Sequence, residues 1–515
     1  MTDGGLQRAF GVLCVLYAAW HLYVLNIAPL ETWSFRILHV AGTLVLGFAM
    51  TSLLSPVPSS AGSAAIRWLS VCLAALGGLS IAAAGTALGA MALAEAPPGP
   101  DLAVEWFGIS LAAGTTLAIV AGWVQPARSG RIAANDWVLV GATLIATGFI
   151  LLSLDALSLR LRAGTPFADP NNAFAAFALV VLILELTRRV AGMALVIIAT
   201  LFVAYAFAGP WLPGFLEHRG YSAARFFSYL YTDNGVLGPT TAVSSTYIIL
   251  FIVFAAFLQS SKVGDYFVDC AFAAAGKLPG GPAKVSVFAS GLMGMINGTS
   301  AGNVVSTGAL TIPLMKRVGY KPQSAGAIEA AASTGGQIMP PIMGAGAFIM
   351  AEITGIPYTD LVIAALIPAL LYFASIYFMV DFEARRTGLG GVAASDLPKA
   401  GELLRRAYLF VPIVILIGAL FIGYSVIRAG TLAIVAATVV SWLTPHAMGP
   451  RRIISALGEG ARMSIQIITV CACAGIIVGV IALTGVGARF SALLFELAEA
   501  STLLALIFAM LIAVI

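Results

Sequence analysis

The chain has 515 residues, of which 60% are hydrophobic and only 10% charged, with a formal net charge of +4. A soluble domain carries about 25% charged residues, so this composition excludes a soluble globular protein and points to a polytopic membrane protein. The positive balance is scattered among short loops, which argues against nucleic acid as a partner.

Five cysteines and four histidines are present. Cys14, Cys72, Cys270, Cys471 and Cys473 lie in or beside apolar runs, and Cys471 and Cys473 point about 200° apart on a helix. His21, His39, His218 and His446 are far apart in sequence, so no metal centre is expected. The N-terminal apolar run contains aromatics and His21, and no small-residue cleavage site follows it. It reads as the first membrane helix, not as a signal peptide.

A span takes roughly 20 apolar residues. That rule predicts helices near 9–28, 35–54, 68–94, 102–124, 137–159, 172–187 and 190–208. Further along it predicts 241–259, a short element near 265–276, a re-entrant pair near 284–315 and a broken helix near 325–350. Spans near 358–380, 408–428, 429–444, 463–484 and 502–515 complete the series. Arg128 and Arg131, Arg188-Arg189, Arg385-Arg386, Arg405-Arg406 and Arg451-Arg452 mark polar connectors. The longest connector, 381–407, is placed in the cytoplasm by its basic residues. Glu185, Arg188 and Arg189 read as an ion-pairing helix end.

An internal repeat is visible across that connector. Residues 257–267 and 481–490 each follow a long apolar helix. Val263-Gly264 aligns with Val486-Gly487, Phe267 with Phe490 and Phe272 with Phe495.

The most informative stretch is 284–350. It is apolar but interrupted twice, by Asn297-Gly298-Thr299-Ser300-Ala301-Gly302-Asn303 and by Ser333-Thr334-Gly335-Gly336-Gln337 with Pro340-Pro341 behind it. Irregular backbone at membrane depth is tolerated only where protein or a water-filled cavity covers it. Two breaks flanking one short connector fit the discontinuous helices of secondary transporters, whose half-helix N-termini face anionic substrates. On that reading Gly298, Thr299, Ser300, Ser333, Thr334, Pro340 and Pro341 would line the place of a substrate carboxylate.

Each motif also has a plainer reading. The hydroxyls, amides and freed carbonyls of the first break suit a hard cation; small residues also suit close helix packing. Pro340-Pro341 could simply kink a helix. Glu329, a carboxylate inside an apolar run, is a functional candidate: it could relay a proton or pair with Lys316, Arg317 or Lys321. Gly298-Thr299-Ser300-Ala301-Gly302 matches a G-x-S-x-G nucleophile pattern, but that elbow needs a strand-to-helix turn. An intramembrane serine hydrolase would also need a histidine nearby, and only His21 and His39 lie in predicted spans. A scaffold subunit without transport of its own is a further alternative.

The runs 185–222, 280–290, 297–322 and 325–358 resemble the permeases of TRAP transporters, and in particular the type with fused small and large membrane subunits, served by a TAXI-type binding protein. The resemblance implies an all-α, elevator-type ion-transporter-like fold with inverted repeats, re-entrant hairpin 284–315 and broken helix 325–350. It also implies three regions: small-subunit-like scaffold helices in 1–208, a first repeat in 209–387, and a second, incomplete repeat in 388–515. Carried onto this chain, the implied Na⁺ ligands are Asn297, Ser300, Asn303, Gly335 and Gln337. Coupling by H⁺ is the variant that leaves a role for Glu329. The implied substrates are small carboxylates such as 2-oxoglutarate or glutamate, delivered by an extracytoplasmic binding protein to a multi-pass permease of the bacterial inner membrane. Family members carry a second hairpin and a second broken helix that do not occur here; the resemblance then implies a fragment, the favoured reading, or a chain completed by another, or an inactive one.

Overall fold

In the computed structural model, residues 3–53, 64–93, 101–124, 132–154, 161–297, 299–392 and 397–514 are described, and every regular element among them is helical. Arg128 and Arg131 fall outside these residues. Nine described helices are long and apolar enough to cross a membrane, from Gly5–Asn26 to Pro450–Thr484.

The differences from expectation have simple causes. The helix expected from 463 begins at Pro450 and runs to Thr484. Its first turns carry Arg451, Arg452, Glu459 and Arg462, which hide it from a hydropathy rule. Proline at the first helical position is favoured because its missing N–H is not needed there. Ala223–Leu230 and Val486–Ala500 are helices the apolar-run rule does not predict, since both are short and amphipathic. The helix expected to end near 380 continues to Thr387, where Gly388 adopts a left-handed conformation at φ 66°. Residues 381–387 therefore belong to the helix and not to the connector.

The chain packs as two compact units. One comprises Met1–Gln7, Glu31–Ala242 and Ile468–Ile515; the other comprises Arg8–Leu30 and Val243–Ile467.

In the first unit, Phe48, Phe107, Leu111, Leu139, Leu179 and Leu186 form part of a buried apolar core. Small residues bring helices close: a β-carbon on Gly114 would lie 2.9 Å from the Gly77 carbonyl. Lipid tails are as apolar as leucine, so such close packing supplies much of the helix–helix attraction. At the end of Pro170–Val190, Glu185 pairs with Arg188 at 2.8 Å and with Arg189 at 2.7 Å. Arg189 also reaches Asp136 at 2.7 Å, and the Trp123 indole donates to Glu185 at 3.0 Å.

The second unit holds the interrupted stretch. The first arm of a helical hairpin is Gly281–Asn297 and the second arm is Ser300–Val318. At about 1.5 Å per residue, both arms are slightly shorter than the roughly 30 Å hydrocarbon core. The second arm is capped by Thr299, whose hydroxyl accepts the Gly302 N–H at 3.2 Å. It ends at Gly319, φ 112°, with Lys316 and Arg317 in the last turn, where cations complement the helix dipole. The next helix, Pro322–Gly335, begins with proline and passes through a 3-10 turn, Gly336–Ile338. Its continuation, Ala345–Thr354, follows an irregular segment.

Candidate functional site

The two interruptions are narrower than the sequence suggests. At the first, only Gly298 and Thr299 separate the arms. Asn297 is the last helical residue of the first arm, and Ser300, Gly302 and Asn303 lie in the first turn of the second. Gly298 and the Asn297 side chain lie outside what is described. At the second, Ser333, Thr334 and Gly335 remain α-helical, so the irregular backbone starts later, at Met339. The Pro340-Pro341 bond is cis. Proline cannot donate a helical hydrogen bond and pushes the residue before it toward extended backbone; Met339 has φ −80°, ψ 117°. Tyr358 then pins the segment, its single hydroxyl proton shared between the carbonyls of Pro341 (2.8 Å) and Ile342 (2.6 Å).

The two breaks meet. A β-carbon on Gly336 would lie 2.6 Å from Gly294 Cα and 2.9 Å from Asn303 Nδ2, and one on Gly294 would collide with the Gly336 backbone. The first arm and the end of Pro322–Gly335 thus touch backbone to backbone. Gln337 Nε2 donates to Ser300 Oγ at 3.4 Å, joining one break to the other. Gly335 is held tight against Tyr372 and Phe373.

Asn303 is fully buried at this junction. Its Nδ2 donates to the Ser290 carbonyl at 2.8 Å and toward that of Ser333 at 3.5 Å. Two carbonyls facing the same side-chain atom identify it as nitrogen. The other atom, Oδ1, is buried without a hydrogen-bond partner. An orphaned buried acceptor is costly, and an oxygen of this kind suits a hard cation.

The remaining predicted residues divide by exposure. Thr334 and Gln337 are exposed; Ser300 and Thr299 are half-buried; Ser333 is fully buried. Thr299 spends its hydroxyl on the helix cap, and Thr334 donates to Ala330 at 2.8 Å. Two helix N-termini open at the breaks, at Ser300 and at Ala345. Each acts roughly as half a positive charge.

Sequence reasoning missed a polar stripe below the breaks. Ser286 and Ser290 on the first arm, Thr307 and Thr311 on the second, and Ser333 beside it all point at Glu329, which is itself fully buried. Among the described residues, none of Lys316, Arg317 and Lys321 forms an ion pair with it. The signal was present: 286/290, 303/307/311 and 329/333 each repeat at four residues, one helical face per segment. At the hairpin base, buried Lys284 lies 2.5 Å from Asp381 and under the Tyr377 ring, and Arg385 reaches Asp381 at 2.8 Å.

A helical hairpin and a broken helix that meet at a buried, unpaired amide oxygen match the secondary-transporter class of membrane protein. Residues 178–515 match the family described as "Tripartite ATP-independent periplasmic transporter, DctM component". The chain belongs to this family of TRAP transporter permease components and is a multi-pass integral membrane protein of the bacterial inner membrane. Two curated relatives are similar over shorter stretches. The uncharacterized protein y4mL of Sinorhizobium fredii is 24% identical over 138 residues, 27% of this chain and 32% of the relative. The uncharacterized protein YgiK of Salmonella typhimurium is 29% identical over 91 residues, 18% of this chain and 21% of the relative. The chain thus matches a third or less of the length of these relatives.

Proposed function

We propose that the chain is the permease of a cation-coupled importer of small organic acids, with 2-oxoglutarate and glutamate as the leading substrate class. An extracytoplasmic solute-binding protein of the TAXI type would deliver them. The observation that carries this reading is the orphaned Asn303 Oδ1, buried where the two breaks meet. Na⁺ is the coupling ion we favour, because a buried neutral amide oxygen without a hydrogen-bond partner is a hard-cation ligand. Ser300 and Gln337, which join the breaks, and the carbonyl of Gly335 would complete it together with Asn297. The substrate carboxylate would sit between the helix N-termini, near Thr299, Ser300 and Thr334, with Pro340-Pro341 shaping the second wall. An elevator-like movement of the hairpin with the broken helix is consistent with their backbone contact.

The test is uptake of radiolabelled 2-oxoglutarate or glutamate into proteoliposomes with a cognate binding protein. An inward Na⁺ gradient should drive accumulation, and a choline gradient should not. Asn303→Ala should lower uptake at limiting Na⁺ at least tenfold. Accumulation driven equally well by a pH gradient in sodium-free buffer would overturn the Na⁺ assignment, and no uptake under either gradient would overturn the importer reading.

A further inference from the structure

Glu329 sits where three helical segments converge, and its surroundings assign it a part that the ion ligands do not fill. Its Oε1 accepts from Ser290 (3.1 Å), Ser333 (3.1 Å) and Thr307. Its Oε2 accepts from Ser286 (2.7 Å) and Thr311. A carboxylate offers about four lone-pair directions; three serine hydroxyls and two threonine hydroxyls face them, and Thr307 and Thr311 share their single protons between Glu329 and the carbonyls of Asn303 and Thr307. That cage can solvate an anion in place of water and leaves little room for direct coordination of a metal ion. Among the described residues no cation pairs with Glu329. Lys284, on the first arm, is engaged with Asp381. A buried carboxylate held only by neutral hydroxyls is expensive to ionise unless an opposite charge comes near.

The same residues that grip Glu329 also grip Asn303. Ser290 donates to Glu329 through its hydroxyl, and its carbonyl accepts from Asn303 Nδ2. Ser333 does both as well, more weakly at the carbonyl. The Thr307 hydroxyl lies between Glu329 and the Asn303 carbonyl, 2.8 Å from the latter. The carboxylate is therefore linked to Asn303 through the shared partners Ser290, Ser333 and Thr307, neutral groups that cannot themselves supply an opposite charge. We propose that Glu329 is the fixed counter-charge for a monovalent cation bound at Asn303 Oδ1, a positioning residue outside the coordination sphere. It attracts the ion through space, and the bound ion in turn neutralises the buried carboxylate. This rests on the cation reading above.

The experiment titrates Na⁺ against choline at constant ionic strength, using the full chain. It reads the Na⁺-induced rise in Tm in detergent and the Na⁺ dependence of uptake in proteoliposomes. In Glu329→Gln the half-saturating Na⁺ concentration should rise at least tenfold, about 1.4 kcal/mol, while the maximal rate at saturating Na⁺ stays within about threefold. Moving the charge onto the ligand, in Asn303→Asp combined with Glu329→Gln, should restore half-saturation to within about threefold of wild type. A wild-type protein with no Na⁺ response would overturn the cation reading itself, and this proposal with it. A responsive wild type with unchanged half-saturation in Glu329→Gln would overturn the counter-charge alone. If Glu329→Gln does not fold, Glu329→Asp decides: it keeps the charge but slackens the cage. Lower Tm with half-saturation within threefold of wild type supports the proposal, and a tenfold rise overturns it.

Discussion

Lys262 is held at φ 63°, a left-handed conformation between Ile249–Ser260 and the helix that starts at Val263. An L-residue there costs roughly 1 kcal/mol relative to glycine. Its ion pair with Asp265, 3.3 Å long, joins two well-exposed side chains and contributes little. Glycine occupies the aligned position of the internal repeat, Gly485, with φ 70°. Two copies of a motif that turn left-handed at the same aligned residue support the repeat more strongly than the matched Val-Gly and Phe pairs do. Lys262→Gly should stabilise the protein by roughly 0.5–1 kcal/mol, measurable as a rise in Tm in detergent. A fall in Tm would mean that the lysine makes contacts worth more than its backbone strain.

The helical segments of the site hold together by touching at glycine. Gly294 and Gly336 leave no room for a β-carbon between the first arm and the 3-10 turn. Gly336→Ala would push the turn off the arm and away from Asn303 Nδ2. It should therefore raise the half-saturating Na⁺ concentration for uptake at least tenfold. Gly346, whose added β-carbon would meet nothing, is the control; Gly346→Ala should leave it unchanged. At the other end of the hairpin, Lys284, Asp381 and Arg385 lock its base to Tyr358–Thr387. Asp381→Asn strands a buried ammonium, whereas Arg385→Gln removes an exposed partner. Asp381→Asn should lower Tm by clearly more than Arg385→Gln; equal effects would mean that the buried pair does not hold the base.

At the scale of the whole molecule, the arginines set the sides of the membrane. If Arg188 and Arg189 lie in the cytoplasm, Trp211, at the other end of the span Met193–Trp211, is on the extracytoplasmic side. Arg385 and Arg386 precede the turn at Gly388. Residues there pack on the hairpin base, where the Gly280 N–H reaches the carbonyls of Leu389 and Gly390, each at 3.1 Å. In a cysteine-free background, Trp211→Cys, at a side chain 82% exposed, should react with an impermeant maleimide in intact spheroplasts. Gly390→Cys should react only after permeabilisation. The reverse pattern would invert the topology.

Hydrophobic run length was enough to place most of the helices, because a bilayer imposes one length on every span. Polar residues in apolar helices were enough to mark the two breaks, because lipid offers such groups no partner. Where charge shortened the apolar run, as at Arg451 to Arg462, the same rule failed to locate the helix start. The true extent of the second break was not legible either, since Ser333 to Gly335 stay helical and the irregular turn begins only at Met339. Nor was the partner of Glu329. Pairing with Lys316, Arg317 or Lys321 is one of two readings along the chain, but the fold turns five hydroxyls from three helical segments onto it. Local sequence dictates which groups must be buried; which of them face each other depends on how the segments pack, and only the tertiary structure decided that.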